Sequence, residues 1–253
     1  MPGHRFFSSF QTTDQKVILK DADECQHLIK VLRLKKGDDL ELINGQGGLA
    51  RAVVDDVAKA SVAMSLREVV FVPRALRPRI TLACAIPKRS KFETIIEKAT
   101  ELGVDRIIPL VTERTEFVAD GEKIEKKTER FERVAMNAAK QCKRIWFPEI
   151  SPPVALTQAL KQCATPDTGL FIPWLEGDRV SLREAFTRKL EAKEFVFFIG
   201  PEGDFTPEEV KQALKAGALA VSLGENVLKV DTAAMAVVAF AVQMLGNKGA
   251  HVR

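Results

Sequence analysis

Two stretches in the carboxyl-terminal half concentrate residues that can bring main chain close to a ligand. The first is Phe197-Phe198-Ile199-Gly200-Pro201-Glu202-Gly203-Asp204-Phe205, an apolar strand running into a Gly-Pro-Glu-Gly turn. Glycine lacks a Cβ, so it admits close approach and accepts positive φ. Thr206-Pro207-Glu208-Glu209 follows, a capping box with proline at the first helical position, and such a helix start offers free N–H groups. The second stretch is Ser222-Leu223-Gly224-Glu225-Asn226-Val227-Leu228-Lys229-Val230-Asp231-Thr232, a strand-to-loop passage expected to end at a helix cap, Asp231 or Thr232. Alone, neither defines a reaction: Gly-Pro-x-Gly also makes an ordinary tight turn, and an acid at a helix start also serves as a cap. A phosphate-loop enzyme is a remote alternative, because no G-K-[ST] and no dinucleotide fingerprint is present.

The elements that would position these loops alternate in type. Ile80 to Ile86 is a continuous apolar strand. Ser90 and Glu93 form a capping box for a helix with Phe92, Ile95, Ile96, Ala99 and Leu102 at helical spacing, ended by Gly103. Arg106 to Val111, Gly169 to Ile172, Phe195 to Ile199 and Ala218 to Leu223 read as further strands, and Glu122 to Lys143 as a long helix. Buried strands alternating with helices predict a parallel α/β sheet, which binds ligands at the carboxyl ends of its strands. Residues 1–72 differ. Val17 to Leu19, Leu40 to Ile43 and Ala50 to Val54 read as strands around an Asn44-Gly45-Gln46-Gly47-Gly48 turn, with one short helix over Asp23 to Leu34. A small β-barrel domain over 1–72, a linker at Pro73 to Pro78 and an α/β domain over 73–253 follow.

Composition narrows the class. The chain has 253 residues, 46% apolar and 28% charged, which excludes a disordered or fibrous protein. The longest strictly apolar run, Ala233 to Val242, is half of the roughly twenty residues a membrane span needs. The amino terminus does not read as a secretory signal. The four scattered cysteines fit a reduced, cytoplasmic chain, and three scattered histidines offer no metal cluster. Residues 1–72 hold ten charges of each sign, so the net +4 lies beyond them. Two acid-free basic windows stand out: Arg74 to Lys91, with Lys88, Arg89 and Lys91, and Arg133 to Pro148, with Lys140, Lys143 and Arg144. Such windows can contact phosphates or form a solvated face. The helix over about Thr232 to Leu245 is apolar almost all round, as expected of a core helix or of one shared with a second subunit.

Taken in order along nearly the whole chain, the motifs resemble the RsmE family of SPOUT-class methyltransferases. His27-Leu28-Ile29-Lys30-Val31-Leu32-Arg33 with Gly37-Asp38 is similar to the family's amino-terminal PUA-like RNA-binding domain. Lys91-Phe92-Glu93 with Glu97 to Val104, Glu113-Arg114, Ala138 to Arg144, Pro148-Glu149-Ile150 and above all Ile199 to Gly203 match its catalytic domain. The resemblance implies S-adenosylmethionine-dependent methylation of N3 of a uridine in 16S ribosomal RNA. The substrate would be the RNA or the assembled small subunit, and the enzyme a homodimer without metal or membrane. It implies a SPOUT-type parallel sheet with a C-terminal trefoil knot, over about 195–253. Carried over, Ile172, Pro173, Ile199, Gly200, Glu202, Gly203, Leu223, Gly224, Val227 and Leu228 would hold the cofactor. Arg5, Arg33, Lys88, Arg89, Lys91 and Arg144 would face RNA.

The chain also departs from the family pattern Leu-Gly-x-Arg-[Ile/Val]-Leu-Arg-x-Glu-Thr. Asn226 and Lys229 stand where arginines are expected, Asp231 where glutamate is, and Asp204 where a second glycine is usual. Lys229 keeps a charge but not the planar fork, and Asn226 loses the charge. Asn226, Lys229 and Asp231 are the candidate catalytic residues. The alternative is an RNA-binding ribosome-assembly protein of the same fold with weak or lost catalysis.

Overall fold

The computed structural model describes residues 5–88, 91–116 and 121–246, without the side chains of Asp23 and Lys91. It divides into two units. The first takes residues up to Arg74 together with Met136–Phe147; the second takes Ala75–Ala135 and the chain from Pro148 on. The sequence reading drew a contiguous division at 72/73. The discontinuity arises because Trp146 and Phe147 belong to the β unit. The Phe147 N–H donates to Gly45 O at 3.0 Å, and Trp146 Nε1 donates to Val72 O at 2.9 Å.

In the first unit, β1 (Arg5–Phe7), β2 (Lys16–Leu19), β3 (Asp39–Ile43), β4 (Gly48–Ala58) and β5 (Ser61–Phe71) form one sheet in the order β1-β3-β4-β5-β2. Alternation dictates it. Leu40 and Leu42, then Ala50, Ala52 and Val54, then Val62, Met64 and Leu66 point to one buried core with Phe6 and Leu28. The Asn44 carboxamide oxygen accepts the Gln46 and Gly48 N–H groups at 2.9 and 2.8 Å, closing the expected turn. The expected helix over Asp23 to Leu34 is interrupted. A short α1 (Ala22–Gln26) passes into a π-helical turn over His27–Val31, with the Leu32 N–H on His27 O at 3.0 Å. Arg33 then takes φ 53°. His27 packs edge-on to Phe6, with ring centroids 5.5 Å apart.

The second unit carries β6 (Arg79–Ala85), α2 (Lys91–Leu102), β7 (Arg106–Val111) and the start of α3 (Gly121–Gln141). It continues with β8 (Glu149–Ile150), β9 (Val154–Ala155), α4 (Leu156–Cys163), β10 (Thr168–Pro173), β11 (Val180–Ser181), α5 (Leu182–Thr187), β12 (Glu194–Ile199), α6 (Pro207–Lys215), β13 (Leu219–Ser222) and α7 (Val230–Leu245). The strand order is β11-β13-β10-β12-β6-β7-β8, with β9 also on β7, and every pairing is parallel. This is the SPOUT-type parallel sheet that the resemblance implied, preceded by the small PUA-like β unit. One face packs on α2, α5 and α7 through Phe171, Phe186, Phe195 and Phe197, the other on α4 and α6 through Ile172, Val196 and Phe198. Gly103 ends α2 at φ 109°, as expected. Ser90 lies outside the described residues.

Candidate active site

The site is built where β6, β10, β12 and β13 end. Their carboxyl-terminal loops line a cavity of about 490 Å³, ample for a cofactor-sized ligand. β12 is buried along its apolar length and delivers Gly200 to the cavity. A Cβ at Gly200 would lie 3.1 Å from the Phe205 ring and 3.2 Å from Asp204 Oδ1, so a side chain there requires these neighbours to give by a few tenths of an ångström. The turn closes when the Asp204 N–H donates to Pro201 O at 2.9 Å. Asp204 takes φ 61°, the glycine-like conformation that aspartate tolerates. Its carboxylate accepts the Phe205 N–H at 2.8 Å. Burial pushes the Asp204 carboxyl above its ordinary value, against the opposing pull of the Phe205 and Leu175 N–H groups and the Arg114 guanidinium. Arg114 also donates to Gly203 O, and Glu202 Oε1 accepts the Lys88 N–H at 3.2 Å. The predicted capping box is formed: Thr206 and Glu209 bond reciprocally, with Pro207 opening α6.

The second loop leaves β13. Ser222 Oγ bonds Gly224 O at 3.0 Å and the Gly224 N–H at 3.3 Å. Gly224 takes φ 134°, and a Cβ there would meet nothing within 4 Å. Leu223 and Leu228 pack on the core, whereas Val227 is 75% exposed. Asn226 and Lys229 are exposed at the rim and Asp231 is half-buried. The expected caps Asp231 and Thr232 lie inside α7; its N-cap is Lys229, in extended backbone and with no side-chain cap bond. A helix starts where backbone φ and ψ enter the helical region, and that happens two residues sooner here. Asp231 consequently sits in the first turn, where the helix dipole favours a carboxylate. Below, burial and the Glu202 and Asp231 carboxylates push the Cys84 thiol up, keeping it neutral.

Asn226, Lys229 and Asp231 all line the cavity. So do Pro173, Ile199, Gly200, Glu202, Leu223, Gly224, Val227 and Leu228. Ile172 is fully buried in the core behind the wall, and Gly203 lies outside the lining. The basic candidates sit elsewhere. Arg5 is held by Glu41 at 2.8 Å and by Lys143 O at 2.5 Å. Arg33 is exposed, Lys88 is paired with Glu116 at 2.5 Å, and Arg144 is half-buried. Arg89 and the Lys91 side chain lie outside the described residues. The candidate residues omit Trp174, Leu175 and Arg179, which continue the wall beyond Pro173, and also Asp204 and Glu225, which stand in the two singled-out stretches without an assigned role. Their signal was only that they follow a parallel strand's carboxyl end. Among the described residues, no cluster of three or more His, Cys, Asp or Glu could hold a metal ion.

A parallel α/β sheet with a ligand-sized cavity between its last loops is joined in one chain to a small β unit, and the family matches make this an RNA methyltransferase. Residues 75–242 match the RNA methyltransferase domain and residues 19–62 the RNA methyltransferase PUA domain. A ribosomal RNA small subunit methyltransferase E from Rickettsia conorii is 30% identical over 249 residues, covering 98% of each chain. One from Synechocystis is 34% identical over 210 residues, covering 83% of this chain and 67% of its own. The enzyme from Neisseria gonorrhoeae bound to S-adenosyl methionine superimposes with TM-score 0.84 at 25% identity, covering 97% of this chain and 99% of that one. A Legionella pneumophila protein with bound SAM does so with TM-score 0.83 at 30% identity, covering 95% and 97%. The chain belongs to the ribosomal RNA small subunit methyltransferase E family.

Proposed function

We propose that the chain methylates N3 of a uridine in small-subunit ribosomal RNA, using S-adenosylmethionine. The observation that carries this is the cavity itself. Apolar Ile199, Val221, Leu223 and Leu228 and the bare backbone of Gly200 and Gly224 suit a nucleoside held by main chain. Four carboxylates, Glu202, Asp204, Glu225 and Asp231, face two cations, Arg179 and Lys229, a balance that suits a positively charged ligand. Relatives carrying this cofactor with the same fold support the reading. When bound, the cofactor supplies a methyl group on a positively charged sulfur.

The chain's own residues would do the rest. Gly200, Leu223, Gly224 and Leu228 hold the cofactor by main chain and apolar contact, and the acids favour its charge. Val227 and Leu175, 75% and 50% exposed, offer apolar surface to a base turned out of its stack. Asn226 and Lys229 orient the uridine at the rim, and Asp231 holds the first turn of α7 beneath it. Lys88, Arg89 and Lys91 of the second unit, and Arg5, Arg33 and Arg144 of the first, would contact RNA phosphates. The same reading includes a C-terminal trefoil knot, supported by β10 lying between β12 and β13 in the sheet. It also includes a homodimer covering the outer face of α7, where Ala236 and Gln243 are exposed and Met235 is only partly buried, and action in the cytoplasm on 16S RNA or the small subunit.

The test is methyl transfer from labelled S-adenosylmethionine to small ribosomal subunits lacking the modification, followed by nucleoside analysis. Labelled 3-methyluridine is the expected product. Cofactor binding without any methylated nucleoside would instead favour an RNA-binding assembly role, which the loss of charge at Asn226 motivates.

A further inference from the structure

We propose that Arg179 is a catalytic residue of this enzyme, its guanidinium holding the uridine imide as that group gains negative charge; the inference rests on the uridine-N3 reading above. Methylation at N3 requires the imide proton to leave, so negative charge spreads over the ring's O2–N3–O4 edge. The cavity is poorly provided for this. Its ionisable lining is four carboxylates against Arg179 and Lys229. The carboxylates that suit a cationic cofactor repel an imide anion, so one of the two cations must answer it.

Arg179 is the better placed. It directly precedes β11, and the register Val180↔Val221 and Ser181↔Ser222 sets it beside the strand that leads into the loop of Asn226 and Lys229. Its Nη1 is tethered to Leu175 O and to Trp174 O, the latter at 3.3 Å. Those two bonds restrain the fork through Nη1 and do not engage Nη2 or Nε. Both side chains are exposed, but a planar, tethered guanidinium can direct two N–H groups at one imide carbonyl oxygen as charge builds there, leaving the N3 lone pair free for the methyl group, whereas the Lys229 ammonium is a point charge on a flexible stem. The proton itself leaves to solvent or to a base; Arg179 stays protonated throughout.

Arg179→Gln keeps an amide donor for the Trp174 and Leu175 carbonyls but removes the charge, and Arg179→Lys keeps the charge without the fork. With the full chain and small subunits, Arg179→Gln should lower kcat at least thirtyfold. Its calorimetric affinity for S-adenosylmethionine should stay within twofold of wild type, and its rate should rise to its plateau at higher pH. Arg179→Lys should recover part of the rate. A kcat within threefold of wild type in Arg179→Gln overturns the assignment. So does a loss of cofactor affinity that matches the loss of rate, because the guanidinium then serves the cofactor. A wild type that forms no 3-methyluridine overturns the underlying reading and this role with it.

Discussion

Glu209 and Glu113 lie 96 positions apart, yet Glu209 Oε1 accepts the Glu113 N–H at 2.9 Å. The other oxygen, Oε2, accepts the Thr206 N–H at 2.9 Å. One buried carboxylate therefore joins the loop after β7 to the helix start below the Gly200 turn. Glu209→Gln leaves a single accepting oxygen and strands one buried N–H. It should cost about 1–3 kcal/mol of stability, read by urea unfolding. An unchanged unfolding midpoint would show that the bridge contributes nothing.

Gly200→Val places branched atoms where even one Cβ is already crowded by Phe205 and Asp204. Phe205 and Asp204, or the turn they pack on, must then give way beside the cavity. Affinity for S-adenosylmethionine should fall at least tenfold by calorimetry, about 1.4 kcal/mol, and an unaltered affinity would refute the placement of the cofactor against this turn.

Asp204 supplies a pH dependence. Its folded-state carboxyl is pushed up by burial, so the native protein takes up this proton before the unfolded chain does. The cost of the ionised form is present at neutral pH and is relieved as pH falls through the raised value. Relative to Asp204→Asn, the wild type should therefore gain stability between neutral and mildly acidic pH. Parallel stability curves across that range would contradict it.

Within the β unit, Lys140 pairs with Glu24, which is 3% exposed, and Glu24 Oε2 has no hydrogen-bond partner among the described residues. Lys140→Met strands a buried carboxylate and should cost roughly 3 kcal/mol. The double variant with Glu24→Leu should cost less than Lys140→Met alone, measured by thermal unfolding. A larger loss in the double variant would mean that the pair is not the relevant contact.

Asn226→Arg adds a second guanidinium at the exposed rim. Turnover should rise or stay unchanged in the methyl-transfer assay. A large fall would show that this loop has a working arrangement of its own, incompatible with another cation.

Much of this site is legible in the residues. The run from Ile80 to Val111, the box of Thr206 and Glu209, and the glycine turns at 200 and 224 follow from period, caps and backbone freedom, all local properties. What escapes the sequence is decided at a distance. Two-residue strands such as β8, β9 and β11 carry no periodicity; they exist because a neighbouring strand offers its edge. Arg179 looks like any loop arginine until β11 fixes its register. The basic window around Lys140 reads as a surface for phosphates or a solvated face, yet Lys140 is paired with Glu24, whose burial no local pattern reveals. The π-helical turn at His27 likewise obeys packing of Leu28 in the core, since nothing in its composition disfavours an ordinary helix.

Because Met136–Phe147 belongs to the β unit, that unit is split along the gene. On the ribosome, where amino-terminal domains ordinarily close first, this one stays unfinished until Phe147 has been made. By then β6, α2 and β7 have already been synthesised. Maturation is therefore interleaved rather than sequential, and a nascent chain halted before Trp146 would display the five-stranded sheet without the segment that completes its unit to chaperones and proteases.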